Sequence, residues 1–283
     1  MFRKYGFLGI SLIIFAEIVM LLRIEPFATW YIPFVWSGYI LLVDSIVFML
    51  KGNSLLSNRP RKFLHMALLS VNFWFIFEIY NQFIPGWGYV NLPETRLATF
   101  TMGSLSFATI LPAIFETTEL VQQLHIFNKL NLKIKIPTNK FIINILIVLG
   151  IVFLVTPFVI ISPWMWMFVW TGFILLLDPV LYLFHNEKSL IMLVKKKKLD
   201  RIISLFIAGI ICGFLWEFWN YWARTKWYYT WYLTLPPIFR IKIFEMPILG
   251  YIGFGPFALE LYVMYHFIKL LFSKKILGGV AGI

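Results

Sequence analysis

A single cysteine, Cys212, excludes an intrachain disulfide framework and any cysteine-built metal cluster, and its place inside an apolar run makes it a packed thiol. Acid is scarce as well. The chain has 13 Asp and Glu against 25 Lys and Arg, and charged residues make up only 13% of its 283 positions. A water-soluble domain carries about twice that share, so lipid is the solvent for most of this surface. The histidines His65, His125, His185 and His266 are scattered near the ends of apolar runs, without partners at metal-ligand spacing. We assign no metal and expect no cofactor. A phosphate-binding glycine loop, a dinucleotide fingerprint, a Gly-x-Ser-x-Gly elbow and a zinc-protease helix are all missing, which removes the classes those motifs define. No arginine-rich helix points to voltage sensing, and the acids do not form the regular ring of a pore.

What is present is apolar length. Hydrophobic residues make up 60% of the chain and aromatics 19%, including 12 Trp, with a mean hydropathy of +0.82. Eight apolar runs, roughly 5–23, 28–50, 63–84, 97–120, 141–162, 164–184, 202–223 and 246–272, are each close to the length of about 20 residues that crosses a bilayer. The spacing predicts an all-α, polytopic transmembrane bundle. The first run follows Arg3 and Lys4 as a signal peptide would, but Glu17 interrupts it and no small-residue cleavage site closes it, so it reads as a retained helix.

If the spans alternate in direction, one side receives Arg3, Lys4, the segments 51–62, 128–140 and 185–201, Lys269 at the end of the eighth span and the C-terminal tail, which together hold 19 of the 25 Lys and Arg. The positive-inside rule then places both termini in the cytoplasm, in what we expect to be a bacterial cytoplasmic membrane. The net charge of +12 is explained by these loops, Lys195 to Lys198 among them, meeting anionic lipid headgroups. Nucleic acid is not the expected partner. Membrane lipids are, with a hydrophobic small molecule as a second.

The chain also repeats itself. Val35-Trp36-Ser37-Gly38-Tyr39-Ile40-Leu41-Leu42-Val43-Asp44 recurs as Val169-Trp170-Thr171-Gly172-Phe173-Ile174-Leu175-Leu176-Leu177-Asp178. Phe77-Glu78-Ile79-Tyr80-Asn81 matches Trp216-Glu217-Phe218-Trp219-Asn220, Trp87-Gly88-Tyr89 matches Trp227-Tyr228-Tyr229, and Pro112 with Glu116 matches Pro256 with Glu260. This predicts two four-span units, 1–127 and 141–283, joined by a basic linker, 128–140. An even number of spans per unit makes the repeat parallel, with its axis along the membrane normal.

The acids kept inside these spans are the candidate site. A charged residue at the bilayer centre costs about 2.5–3.5 kcal/mol on insertion scales, so it faces the bundle interior, pairs or takes up a proton. At ~1.5 Å per residue, Asp44 and Asp178 lie toward the cytoplasmic side, Glu116 and Glu260 in the inner half, and Glu78 and Glu217 in the outer third. The i, i+3 spacing puts Glu217 with Asn220, and Glu78 with Asn81, on one helical face. Desolvation favours a neutral carboxyl, and an amide neighbour can orient it without adding charge, an arrangement suited to a proton donor. The same groups can equally cross-link helices. Trp216, Trp219, Trp227 and Tyr229 crowd the outer end of the seventh span, where they form an interfacial belt or line a pocket that shelters a cation. Glu245 aligns with the neutral Thr101, so the second unit carries one acid more than the first, and the loop before the eighth span is longer and more charged. Gly250, Gly253 and Phe257 share a face of the eighth span, where small residues allow close helix approach.

Trp216-Glu217, the Trp227 to Tyr229 stretch and the Pro256 to Glu260 helix together resemble the arrangement in integral-membrane lycopene cyclases and small membrane-bound meroterpenoid cyclases. The likeness covers mainly 210–265 and more faintly 72–116. In lycopene cyclases two adjacent acids follow the proline, whereas here Glu260 stands alone. The resemblance implies buried acids that protonate an isoprenoid and aromatic faces that shelter the carbocation. Three readings stay open: acid-initiated cyclisation, isomerisation or hydration of a lipid-soluble substrate, with Glu217 as donor, Asn220 orienting it and Glu245 or Glu260 as base; proton- or cation-coupled transport through Asp44, Asp178, Glu78 and Glu217; and a noncatalytic scaffold in which the acids bond helices together.

Overall fold

The computed structural model describes residues 1–127, 134 and 136–272; most of the basic linker 128–140 and the tail beyond 272 lie outside the described residues. In chain order the helices are α1 (Lys4–Leu21), α2 (Tyr31–Lys51), α3 (Leu55–Asn58), α4 (Pro60–Phe83), α5 (Arg96–Gln123), α6 (Lys140–Val155), α7 (Trp166–Leu183), α8 (Leu190–Lys195), α9 (Leu199–Trp222) and α10 (Ile248–Leu271). All but the short α3 and α8 belong to the eight segments long and apolar enough to cross a membrane, and the chain is a multi-pass membrane protein. In hydrocarbon no water satisfies backbone N–H and C=O groups, so an apolar run of this length resolves as helix.

The expected spans and the helices coincide except at the fifth. That run continues to 162 by hydropathy, but α6 ends at Val155, and Pro157 and Pro163 turn the chain through two 3-10 segments, Thr156–Phe158 and Pro163–Met165, into α7. Each proline lacks the N–H that would continue the ladder. Pro112, Pro179 and Pro256, by contrast, sit inside α5, α7 and α10, which run on through them. At α5 the reason is visible. The Ser70 hydroxyl of α4 accepts from the Leu111 N–H at 2.9 Å and donates to the Phe107 carbonyl at 2.5 Å, bridging the helix ladder just before Pro112.

Two small sheets qualify the all-α expectation. β1 (Trp87–Val90) pairs antiparallel with β2 (Lys226–Tyr229), and β3 (Lys242–Ile243) with β4 (Met246–Pro247). Aromatic residues favour strands, but a pairing between segments that lie 139 residues apart (87 to 226) leaves no local pattern to read.

The helices pack as two hairpins, α1 on α2 and α6 on α7, flanking a centre of α4, α5, α9 and α10. Close approach in the first hairpin depends on Gly9 and Gly38: a Cβ on Gly9 would stand 2.6 Å from the Gly38 carbonyl oxygen, and one on Gly38 2.8 Å from that of Gly9. At the α9–α10 crossing, a Cβ on Gly209 would meet the Phe254 carbonyl at 2.2 Å. The Gly250 and Gly253 positions face side chains instead, Met246 and Trp170. Trp36 is fully buried at the centre, 5.2 Å from Trp216 and 4.9 Å from Trp219 between ring centroids.

Candidate functional site

At the end of α9, Asn220 forms the turn that makes the site. Its Oδ1 accepts from the Trp227 N–H at 2.9 Å and its Nδ2 donates to the Trp227 carbonyl at 2.8 Å, fastening β2 to the helix end. The chain thereby folds back over Glu217. Its Oε1 accepts from the Tyr229 hydroxyl at 2.7 Å and from the Trp227 indole at 3.3 Å, and the same indole donates to the Tyr229 oxygen at 3.0 Å. Asn220 is thus bonded to Trp227, not to Glu217, and reaches the carboxyl only through the turn it closes. Burial pushes the Tyr229 hydroxyl well above the usual phenol range, so it remains a donor.

The end of α4 makes the same construction. Asn81 accepts from Gly86 N–H at 2.8 Å and donates to the Trp87 carbonyl at 3.0 Å, and Glu78 Oε1 accepts from Tyr89 at 2.5 Å, Trp87 at 3.0 Å and Trp74 at 2.9 Å. The β1–β2 ladder joins the two. Trp87 lies opposite Tyr229 and Tyr89 opposite Trp227, so Gly88 and Tyr228 meet at the midpoint. A Cβ on Gly88 would stand 2.6 Å from the Tyr228 hydroxyl oxygen, so only the tyrosine of this pair occupies the space. Besides the third donor, Trp74, that Glu78 has, the two carboxyls differ in burial. Glu217 is fully buried and its Oε2 has no hydrogen-bond partner, whereas Glu78 is half-buried.

Of the aromatics expected around Glu217, Trp227 and Tyr229 are its partners. Trp216 and Trp219 turn the other way, toward α2. The Trp219 indole donates to Glu17 Oε1 at 3.0 Å and the Tyr31 hydroxyl to the same oxygen at 2.9 Å. Glu17, read from sequence only as an interruption of the first span, therefore ties α1 to α2 and α9. Its signal was present: an acid within an apolar run needs a partner. Phe257 of α10 lies between α4 and α9, with ring centroids 6.3 Å from Trp74, 5.9 Å from Phe77 and 6.2 Å from Trp216. One turn further, Glu260 is fully buried and neither oxygen has a partner. Glu116 is buried in the same way and lies within electrostatic reach of Asp44.

The remaining acids have clear structural work. Asp44 accepts from Tyr5, from Ser54 Oγ at 2.8 Å and from the Leu56 N–H at 2.8 Å, and Asp178 accepts from the N–H groups of Leu190 at 2.5 Å and Ile191 at 3.0 Å. Each satisfies the open donors at the start of a short helix, α3 or α8. Glu245 is bonded to Lys226 at 2.6 Å and Lys242 at 3.4 Å, away from the Glu217 hydrogen bonds. Burial would raise its carboxyl, but the bond from Lys226 and the two ammonium charges hold it below the usual range. Among the described residues no group of three or more His, Cys, Asp or Glu is placed to hold a metal. No family model, no curated protein and no solved structure matches this chain.

Proposed function

We propose that this protein is a duplicated, parallel four-plus-four helix enzyme of the bacterial cytoplasmic membrane, its basic face cytoplasmic, that performs acid-initiated chemistry on an isoprenoid or other lipid-soluble substrate. One observation carries the reading: the Glu217 carboxyl is fully buried, with Oε1 held by Tyr229 and Trp227 and Oε2 unbonded. Both neighbours donate to Oε1, so a proton on Oε2 is the one free to leave. Transfer to an alkene carbon breaks the π bond, forms a C–H bond and leaves a cation. The aromatic faces around Phe257 are of the kind that stabilise such a centre. The carboxylate left on Glu217 takes the second proton as the alkene re-forms, which restores the donor, so the step is an isomerisation or cyclisation, with capture by water making it a hydration; Glu260, buried and unbonded one turn from Phe257, is the second acid of the site. The resemblance to membrane terpenoid cyclases supports the same chemistry.

A scaffold is the second reading, favoured by the near-identical bonding of Glu78, which holds a loop to a helix end. Transport has less support, since Asp44 and Asp178 are committed to backbone donors. Total-lipid mass spectrometry of cells expressing the wild type, Glu217→Gln and Glu260→Gln separates the two leading readings. A lipid species that depends on the wild type and is lost in both variants is expected. Unchanged lipids together with a lowered thermal midpoint would instead assign the carboxyls to anchoring.

A further inference from the structure

The basic end of the bundle encloses a cavity of about 350 Å³ at the ends of α4, α5, α9 and α10. Six cations line it: Lys51, Arg59, Lys62, Lys188, Arg201 and Lys269. Glu119, also on its wall, bonds Arg59 at 3.0 Å through both carboxyl oxygens and pairs with Lys51. For Lys62, Lys188, Arg201 and Lys269, no carboxylate among the described residues lies within ion-pair distance. The charges are crowded enough that Lys188, in the loop before α8, is held below the ordinary lysine range by partial burial and then by Arg201 and Lys198. Four cations from four separate chain segments are held together with no ion pair to any of them among the described residues.

Two further groups on the wall are unpartnered. The Tyr262 hydroxyl and His266 Nε2 belong to side chains 2% and 8% exposed, and neither atom has a hydrogen-bond partner. A buried polar atom left unpaired costs about 1–3 kcal/mol, and both can donate to an acceptor in the cavity. Arg201 lies over the Tyr262 ring, its guanidinium carbon 5.5 Å from the centroid. Phe115 and Leu205 complete the wall with apolar surface.

We propose that this cavity binds a phosphate group of high charge density, a phosphomonoester or a diphosphate, through Lys62, Lys188, Arg201 and Lys269, with Tyr262 and His266 donating to its oxygens. A phosphomonoester carries about −1.5 to −2 charge near neutral pH, which a single lysine leaves uncompensated and this group of cations matches. The phosphate is the head of a membrane lipid or a soluble diphosphate. Cavities of this kind between spanning helices are known to take lipid headgroups. The site stands apart from Glu217 and does not rest on the chemistry proposed there.

The test uses the full chain purified in neutral detergent and, separately, in nanodiscs. Inorganic pyrophosphate and phosphatidic acid are the probes, with phosphatidylcholine as the lipid control, and binding is read as a saturable rise in thermal midpoint. At least one probe is expected to bind, and Arg201→Gln and Lys269→Gln are each expected to weaken it about tenfold, while Lys197→Gln, outside the cavity, leaves it unchanged. The midpoint without probe reports folding, and the Lys269 variant keeps the test open if the Arg201 variant fails to fold. Saturation by phosphatidic acid alone identifies a lipid head; saturation by pyrophosphate identifies a soluble ligand. Binding that Lys197→Gln weakens as much as the cavity variants, or no saturable binding of either probe, would overturn the proposal.

Discussion

Tyr229 is the side chain on which the proposed donor most depends. Tyr229→Phe removes the 2.7 Å bond to Glu217 and leaves only the 3.3 Å indole contact, while Tyr89→Phe leaves Glu78 two indole donors at 2.9 and 3.0 Å. A net hydrogen bond is worth about 1 kcal/mol, and a buried group left unpaired costs more. The Tyr229 variant should therefore lose more stability than the Tyr89 variant in detergent unfolding, and a double-mutant cycle with Glu217→Gln should show coupling. Equal losses would mean that burial of Glu217 does not set its hydrogen bond apart. The carboxyls and their Asn neighbours were legible from sequence because i, i+3 spacing is a local property of a helix. The bonding was not: Asn220 reaches Trp227 because the chain reverses after α9, and Glu17 meets Trp219 across 202 positions.

Among the elements, the β3–β4 turn and the α1–α2 hairpin make separate predictions. Glu245 has its carboxyl depressed by Lys226 and Lys242. The stability it contributes is present above its unfolded value, about 4.3, and is lost as pH falls through the lower folded value. Wild type should exceed Glu245→Gln in thermal midpoint at pH 7, and the gap should close near pH 3. A gap independent of pH would point to lost packing instead. In the hairpin, Gly9→Ala places a methyl against backbone, which cannot swing aside as a side chain can. Overpacking of this kind costs about 1–3 kcal/mol. Gly88→Ala, whose near neighbour is the tip of the Tyr228 side chain, should cost less, and a larger loss there would show that the β1–β2 ribbon is rigid. The spans themselves were readable from hydropathy, except where Pro157 ends α6 early.

For the whole molecule, sided labelling tests the orientation proposed above. In a Cys212→Ala background, Lys197→Cys should react with an impermeant maleimide only from the cytoplasmic side and Ile238→Cys only from the opposite one; the reverse pattern would invert the topology. Sequence by itself determined that the described residues hold eight runs long and apolar enough to cross a membrane and where the basic segments fall, because the cost of transferring each residue to lipid is local and sums along the run. Tertiary structure decided what the acids and cations face. It assigned Asp44 and Asp178 to helix starts, left Glu217 and Glu260 with unbonded oxygens, and gathered Lys62, Lys188, Arg201 and Lys269 around one cavity. A hydrogen bond or a shared cavity needs two segments within a few ångströms, and that distance is set by helix packing across more than 200 positions, which no local pattern encodes.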